Sequence, residues 1–237
     1  GIGGLEFVGL KNYARLLEDE LFYVSLGNNL LFSVITAPVS VALALLLAVG
    51  LNRSLHGRGL LRGMYFFPYV ANIVAVSAVW MMLFNAQSGP INQVLRALGV
   101  ENPPLWLASP ETVMFGIMSI FIWVQTGYVM VIYLAALQNV PNDLYEAATI
   151  DGATPFQKFR YVTLPMISAA TFFVVVITVI HSFYVFAPVN ILTQGGPGNS
   201  SYVLVYYIYL SAFRFYKMGY GSAMAMVLFV IIFGITY

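Results

Sequence analysis

Residues 30–51, 64–84, 112–137 and 164–187 contain no Asp, Glu, Lys or Arg, and nothing else in the chain constrains its fold so strongly. A helix that crosses a bilayer needs about 20 mainly apolar residues, because the hydrocarbon offers no water to pair exposed backbone groups. All four stretches meet that length. A fifth, residues 219–237, has an apolar core over residues 224–232 and reaches the chain end before any interfacial anchor. The sequence therefore predicts an all-α, polytopic bundle of five spans. Pro38, Pro68 and Gly127 interrupt these segments, but such breaks are tolerated where neighbouring helices satisfy the freed backbone groups.

Composition agrees with the bilayer as solvent: 60% of the 237 residues are apolar and 8% are charged, against about half and a quarter in soluble domains. A net charge of +1, with ten Lys and Arg scattered along the chain, leaves no basic stripe to follow a phosphate backbone, so nucleic acid is not an expected partner. The absence of cysteine excludes disulfides, thiolate metal sites and thiol catalysis. The chain opens Gly1-Ile2-Gly3-Gly4, without an initiator Met or signal-peptide pattern. We read it as one domain over residues 1–237, truncated at both ends.

Orientation follows from Lys and Arg near the spans. A cytoplasmic loop carrying Arg53, Arg58 and Arg62 puts Lys158 and Arg160 inside by alternation, and Lys11, Arg15, Arg96, Arg214 and Lys217 outside. The count is even, but the inside loops are much shorter, so charge density favours this orientation. Gly1 then lies outside, which implies a sixth span in the parent protein. Residues 11–21 mix charges with Leu16, Leu17 and Leu21 at helical spacing, predicting an interfacial amphipathic helix, and residues 202–213 read similarly. Tyr206, Tyr207, Tyr209, Tyr216 and Tyr220 read as an aromatic belt at the headgroups, with sugar stacking as the second reading.

The informative loop is residues 139–163. Pro141 suits a first helical position and Gly152 the left-handed residue after a helix end, so a short helix is framed between them. Thr154 then caps a second helix opened by Pro155. Glu146-Ala147-Ala148, Gly152, Val162, Leu164 and Pro165 stand at the spacings of the Glu-Ala-Ala loop of ABC-importer permeases, with Val162 in place of Ile. Phe7-Val8-Gly9-Leu10-Lys11-Asn12-Tyr13, Leu134-Ala135-Ala136-Leu137-Gln138 and Leu192-Thr193-Gln194-Gly195-Gly196-Pro197 resemble the carbohydrate-uptake branch, specifically its maltose-type first permease subunit.

That resemblance implies a sugar-importing permease in the bacterial cytoplasmic membrane. Its implied partners are a second permease, a cytoplasmic ATPase dimer, an extracytoplasmic solute-binding protein and the sugar itself. ATP and Mg would be bound by the ATPase, with no cofactor in this chain. The short helix would be the coupling helix, with Tyr145, Glu146, Ala147, Ala148, Asp151 and Gly152 as its coupling residues. Leu144, Tyr145, Ala147 and Ala148 would enter a groove of the ATPase, and Glu146 would pair with a basic group there. Without the resemblance, Glu146 would read as a carboxylate facing water.

Polar groups within spans are costly and mark candidate paths. Thr178, His181 and Ser182 share one helical face, as do Gln125 and Tyr128 in the preceding span. In the resembled permeases the helices flanking the coupling loop supply the solute path, and these five residues fall in the corresponding stretches. Interhelical hydrogen bonding is the competing reading. No Walker A pattern occurs, so ATP hydrolysis is not expected here. An intramembrane enzyme using His181 as base would lack a partner nucleophile, acid or metal cluster. An ion-coupled carrier would need intramembrane carboxylates, and the predicted spans have none. A permease for a non-sugar solute such as a glycerol phosphate is the remaining alternative.

Overall fold

The computed structural model describes residues 7–52 and 56–237, so the expectations for Gly1 and Arg53 lie outside it. Every regular element among the described residues is helical: α1 Lys11–Leu17, α2 Glu20–Leu51, α3 Arg58–Val70, α4 Ile73–Leu83, α5 Pro90–Ala97, α6 Val113–Gln138, α7 Asn142–Ile150, α8 Pro155–Lys158, α9 Leu164–Met166, α10 Ser168–Phe183, α11 Leu204–Tyr209 and α12 Met218–Thr236. Three π-helical turns, Phe159–Thr163, Val189–Thr193 and Leu210–Arg214, continue α8, precede the Gly-Gly-Pro loop and extend α11. Helices α2, α6 and α12 are long and apolar enough to cross a membrane, and counting the bent pairs α3/α4 and α8–α10 as one span each gives five. The predicted polytopic helical fold is thus the observed one.

Three spans differ from expectation. Helix α2 starts at Glu20 and runs 32 residues, about 48 Å at 1.5 Å per residue, well beyond the ~30 Å hydrocarbon core. Pro38 lies inside it without ending it. The second span is broken, because Ala71 turns extended (ψ 148°) and the Asn72 side chain caps α4 by accepting from the Val74 N–H at 2.9 Å. The fourth span bends by 70° at Ile167, just after Pro165.

Contacts divide the chain into two compact units. The first comprises Gly1–Ile35, Asn72–Ile120 and Ile180–Tyr237. Here Asn28 Nδ2 donates to the carbonyls of Tyr202 and Asn199 at 2.8 and 3.2 Å, and the Leu204 N–H donates to Asn29 Oδ1 at 2.7 Å. These bonds pin the loop after the Gly-Gly-Pro turn to α2. A separate hub forms at Asn92, which donates to the carbonyls of Ala86 and Pro104 and accepts from Trp106 Nε1 at 2.7 Å. Arg96 adds bonds to the carbonyls of Gln87 and Ala86.

Three of the five tyrosines expected at the headgroups pack inside the protein instead, whereas Tyr216 is exposed. Tyr206, Tyr207 and Tyr220 are buried, and the Tyr207 and Tyr220 hydroxyls both donate to Asp19 Oδ2, the former at 2.6 Å. Asp19 Oδ1 meanwhile accepts from the Leu21 and Phe22 N–H groups at the start of α2. One carboxylate thus ties α2, α11 and α12, and Arg15 of α1 lies 4.9 Å above the Tyr220 ring. Aromatic clustering cannot by itself distinguish this packing from a lipid belt.

Burial alone would raise the Asp19 carboxyl, but the hydrogen bonds from Tyr207, Tyr220, Phe22 and Leu21 outweigh it and hold it below 3.8. A depressed folded pKa gives stability that is complete above the unfolded value and lost as pH falls through the folded one. The difference in melting temperature between wild type and Asp19→Asn is therefore expected to be constant from about pH 7 to 5 and to shrink below about pH 4. A difference that instead grows on acidification would reverse the sign of this account.

The second unit comprises Thr36–Ala71 and Phe121–Val179. Its core sets Ala44, Ala48 and Leu51 of α2 against Val129, Met130, Tyr133, Leu134 and Leu137 of α6, with Ile167 and Val174. Small residues at i and i+4 allow close helix approach where apolar burial alone drives little association. Gly127 serves the same end: a Cβ there would lie 1.9 Å from the Tyr65 carbonyl oxygen. It is a packing notch in an unbroken α6.

Candidate functional site

The loop over residues 139–163 has the helix, turn and helix its sequence predicts. Pro141 is the N-cap of α7, one position earlier than expected, and Asp143 stands in the first turn, favourable to the helix dipole. At the other end Gly152 adopts φ +74°. The Ala153 N–H donates to the Ala148 carbonyl at 2.9 Å and the Gly152 N–H to the Thr149 carbonyl at 3.0 Å, the two bonds of a Schellman motif. Thr154 caps α8, and its bond from the Gln157 N–H is returned by Gln157 Oε1 accepting from the Thr154 N–H at 2.7 Å. The Thr-x-x-Gln spacing of this capping box was readable in the sequence.

A ring of side-chain hydrogen bonds fastens α7 to the segment that follows. Lys158 Nζ donates to Thr149 Oγ1 at 2.7 Å, and Thr149 Oγ1 donates to the Tyr145 carbonyl at 2.6 Å. Thr163 Oγ1 lies 3.5 Å from the Lys158 carbonyl and 3.0 Å from the Tyr145 hydroxyl. With Thr163 donating to the carbonyl, the Tyr145 O–H donates to Thr163 and the ring closes. Beneath it a cavity of about 260 Å³ is lined by Val49, Asn52, Leu137, Tyr145, Lys158 and Thr163, among others. Tyr145 and Ala148 therefore face their own chain, whereas Leu144, Glu146, Ala147 and Ile150 are exposed, Ile150 to 87%. Asp151 and Gly152 are exposed as well, and Glu146 makes no hydrogen bond or ion pair among the described residues.

Of the five residues placed on the candidate path, Gln125 and Thr178 come together. Gln125 Nε2 donates to Thr178 Oγ1 at 3.4 Å, and both residues are buried. Tyr128 stacks on Tyr69 with ring centroids 4.3 Å apart and planes 15° apart. Tyr69 was not picked out from sequence, since one tyrosine among Phe66, Phe67 and Tyr69 carries no distinguishing pattern. Ser182 is buried and His181 half-buried one turn further along α10. Among the described residues no three His, Cys, Asp or Glu side chains gather as a metal site requires.

Residues 40–237 match the family described as binding-protein-dependent transport system inner membrane component. The trehalose/maltose transport system permease protein MalF of Thermococcus litoralis is 35% identical over 97% of this chain and 77% of its own length. The sn-glycerol-3-phosphate transport system permease protein UgpA of Agrobacterium fabrum is 34% identical over 97% of this chain and 78% of its own. A crystal structure of a bacterial alginate ABC transporter, in complex with an alginate pentasaccharide-bound periplasmic protein, superposes with a TM-score of 0.87 at 25% identity, over 97% of this chain and 80% of that one. Family match, relatives and fold agree: the chain belongs to the binding-protein-dependent transport system inner membrane components, the permeases of ABC transporters.

Proposed function

We infer that this chain is one permease subunit of an ABC importer carrying a sugar or sugar derivative across the cytoplasmic membrane, energised by ATP hydrolysis in a separate subunit. The observation that carries the reading is α7 itself. It is a nine-residue helix, too short to be stable alone, yet held firmly on one side and presenting Leu144, Glu146, Ala147 and Ile150 on the other. A partner seated on those residues moves the helix, and the ring through Tyr145, Thr149, Lys158 and Thr163 passes that movement to Pro165 and α10. In this reading Tyr145 positions the helix, while Glu146 meets a basic group of the ATPase dimer. ATP and Mg are bound there. A second permease completes the path, and a solute-binding protein delivers the substrate from outside.

The carbohydrate assignment draws on the maltose and alginate relatives, whereas the glycerol phosphate relative keeps a phosphorylated polyol as the second reading. The candidate path favours a neutral solute, because Gln125, Tyr128, Thr178, His181 and Ser182 combine hydrogen-bonding groups with an aromatic face and include no Arg or Lys. Uptake of a sugar panel and of glycerol phosphate by the complete transporter tests both readings. Gln125→Ala and His181→Ala are expected to lower uptake or change sugar preference while binding-protein-stimulated ATPase activity largely survives. Unchanged transport of every sugar would remove these residues from the path, and uptake of glycerol phosphate alone would replace the substrate class.

A further inference from the structure

We propose that a crevice between α3 and α6 is a binding site for one anionic phospholipid, with its headgroup phosphate on Arg62. The crevice has a volume of about 320 Å³ and is lined by Arg62, Gly63 and Phe66 of α3 and by Val131, Leu134, Ala135 and Gln138 of α6. One cation and one amide therefore stand among apolar walls. Gln138 ends α6 immediately before the loop that carries α7, so the crevice opens at the coupling-loop end of both helices.

Among the described residues Arg62 is incompletely satisfied. Its only hydrogen bond among the described residues runs from Nη2 to the Leu51 carbonyl at 3.4 Å, at the C-terminus of α2, and its Nε is enclosed without a partner. A guanidinium in that state at a membrane boundary calls for an anion, and its planar fork suits phosphate oxygens. Basic pockets between membrane helices at this level accept phospholipid headgroups. Free phosphate would make no use of the apolar walls, whereas an acyl chain would lie along Phe66, Val131 and Leu134. The space beside Gly63 is open, for a Cβ added there meets no atom within 4 Å, so a larger side chain at this lining position has room to enter.

The site is independent of what the transporter carries, and its test is read by lipid retention rather than uptake. The complete transporter would be purified in mild detergent and given equal amounts of phosphatidylglycerol and phosphatidylcholine with identical acyl chains, and bound lipid counted by native mass spectrometry. Wild type is expected to retain phosphatidylglycerol over phosphatidylcholine by about fivefold, the size of one basic residue's attraction to an anionic lipid. Arg62→Gln should bring the two lipids level, and Arg62→Lys should keep part of the preference. Gly63→Leu fills the cleft with the charge intact and should reduce the retained phosphatidylglycerol by one molecule. Because Arg62 also touches the end of α2, Arg62→Lys and Gly63→Leu decide the matter if Arg62→Gln does not assemble. Equal headgroup ratios in wild type and the Arg62 variants, an unchanged lipid count in Gly63→Leu, or displacement of the lipid by inorganic phosphate would each overturn the assignment. So would cross-linking of a cysteine at Ala135 to the second permease, which would show protein in the cleft.

Discussion

Replacing Gly152 by Val is expected to abolish uptake while leaving the chain in its membrane. The space around Gly152 is open, since a Cβ there meets nothing within 4 Å, so the damage is not a clash. It comes from φ +74°, where a β-branched residue costs about 1–2 kcal/mol. Relieving that strain sacrifices the bonds from Gly152 and Ala153 to α7 and lets a helix of nine residues unwind. The angle between α7 and α8 is then no longer fixed. Glu146→Ala should give the same loss of uptake for another reason, because Glu146 is exposed and bonded to nothing among the described residues, so its effect is expected to arise from a partner. Uptake and co-purification of the ATPase check both variants. If both transport and associate as wild type does, this loop is not the coupling element.

Gly127→Val should prevent assembly altogether. Its Cβ would fall 1.9 Å from the Tyr65 carbonyl oxygen and 2.8 Å from the carbonyl carbon. Those are backbone atoms and cannot rotate away, so α3 and α6 would have to separate. Overpacking a well-filled core costs about 1–3 kcal/mol when side chains can adjust, and here the backbone itself must move. The core formed with Val129, Met130 and Tyr133 lies within two turns of the site. Gly127→Ala is expected to fail as well, less completely. Yield of monodisperse transporter after membrane extraction is the measure, and a normal yield of Gly127→Ala would show that the two helices do not approach this closely.

The spans were legible because the bilayer imposes a length and a composition that few other settings require. What composition could not reveal was the break at Asn72, since one polar residue in a long apolar run also fits an unbroken span. Gly127 illustrates the same limit: sequence marked it as a possible weakness in one helix, while its purpose is set by the backbone of another. The loop was readable in detail because Pro141, Gly152, Thr154 and Pro155 each act on local backbone geometry. Even the missed capping partner, Gln157, stood at a regular offset. The ring through Tyr145, Thr149, Lys158 and Thr163 was not readable, because it joins hydroxyls and an ammonium through the fold and no spacing rule links them. For the same reason Tyr145 was expected on the outer face of α7 and stands on the inner one. Asp19 gave no hint of its tyrosine partners, which lie 188 and 201 residues away along the chain.

The ring also bears on how motion crosses the loop. Each of its bonds contributes only about 1 kcal/mol net, but two of them, Lys158 to Thr149 and Tyr145 to Thr163, join α7 to the next segment at separate points, so thermal loosening of one leaves the other in register. Two short helices fastened in this way behave as a pawl rather than a spring. On the proposed coupling role, a displacement imposed at the Ile150 end would reach Thr163, two residues before Pro165, on a path into α10 that turns by 70°. A bent lever converts a push along one axis into rotation about another. If α7 has the coupling role proposed above, the two bonds that join it to the next segment, Lys158 to Thr149 and Tyr145 to Thr163, would set how much work done on the surface of this protein reaches its membrane helices as turning.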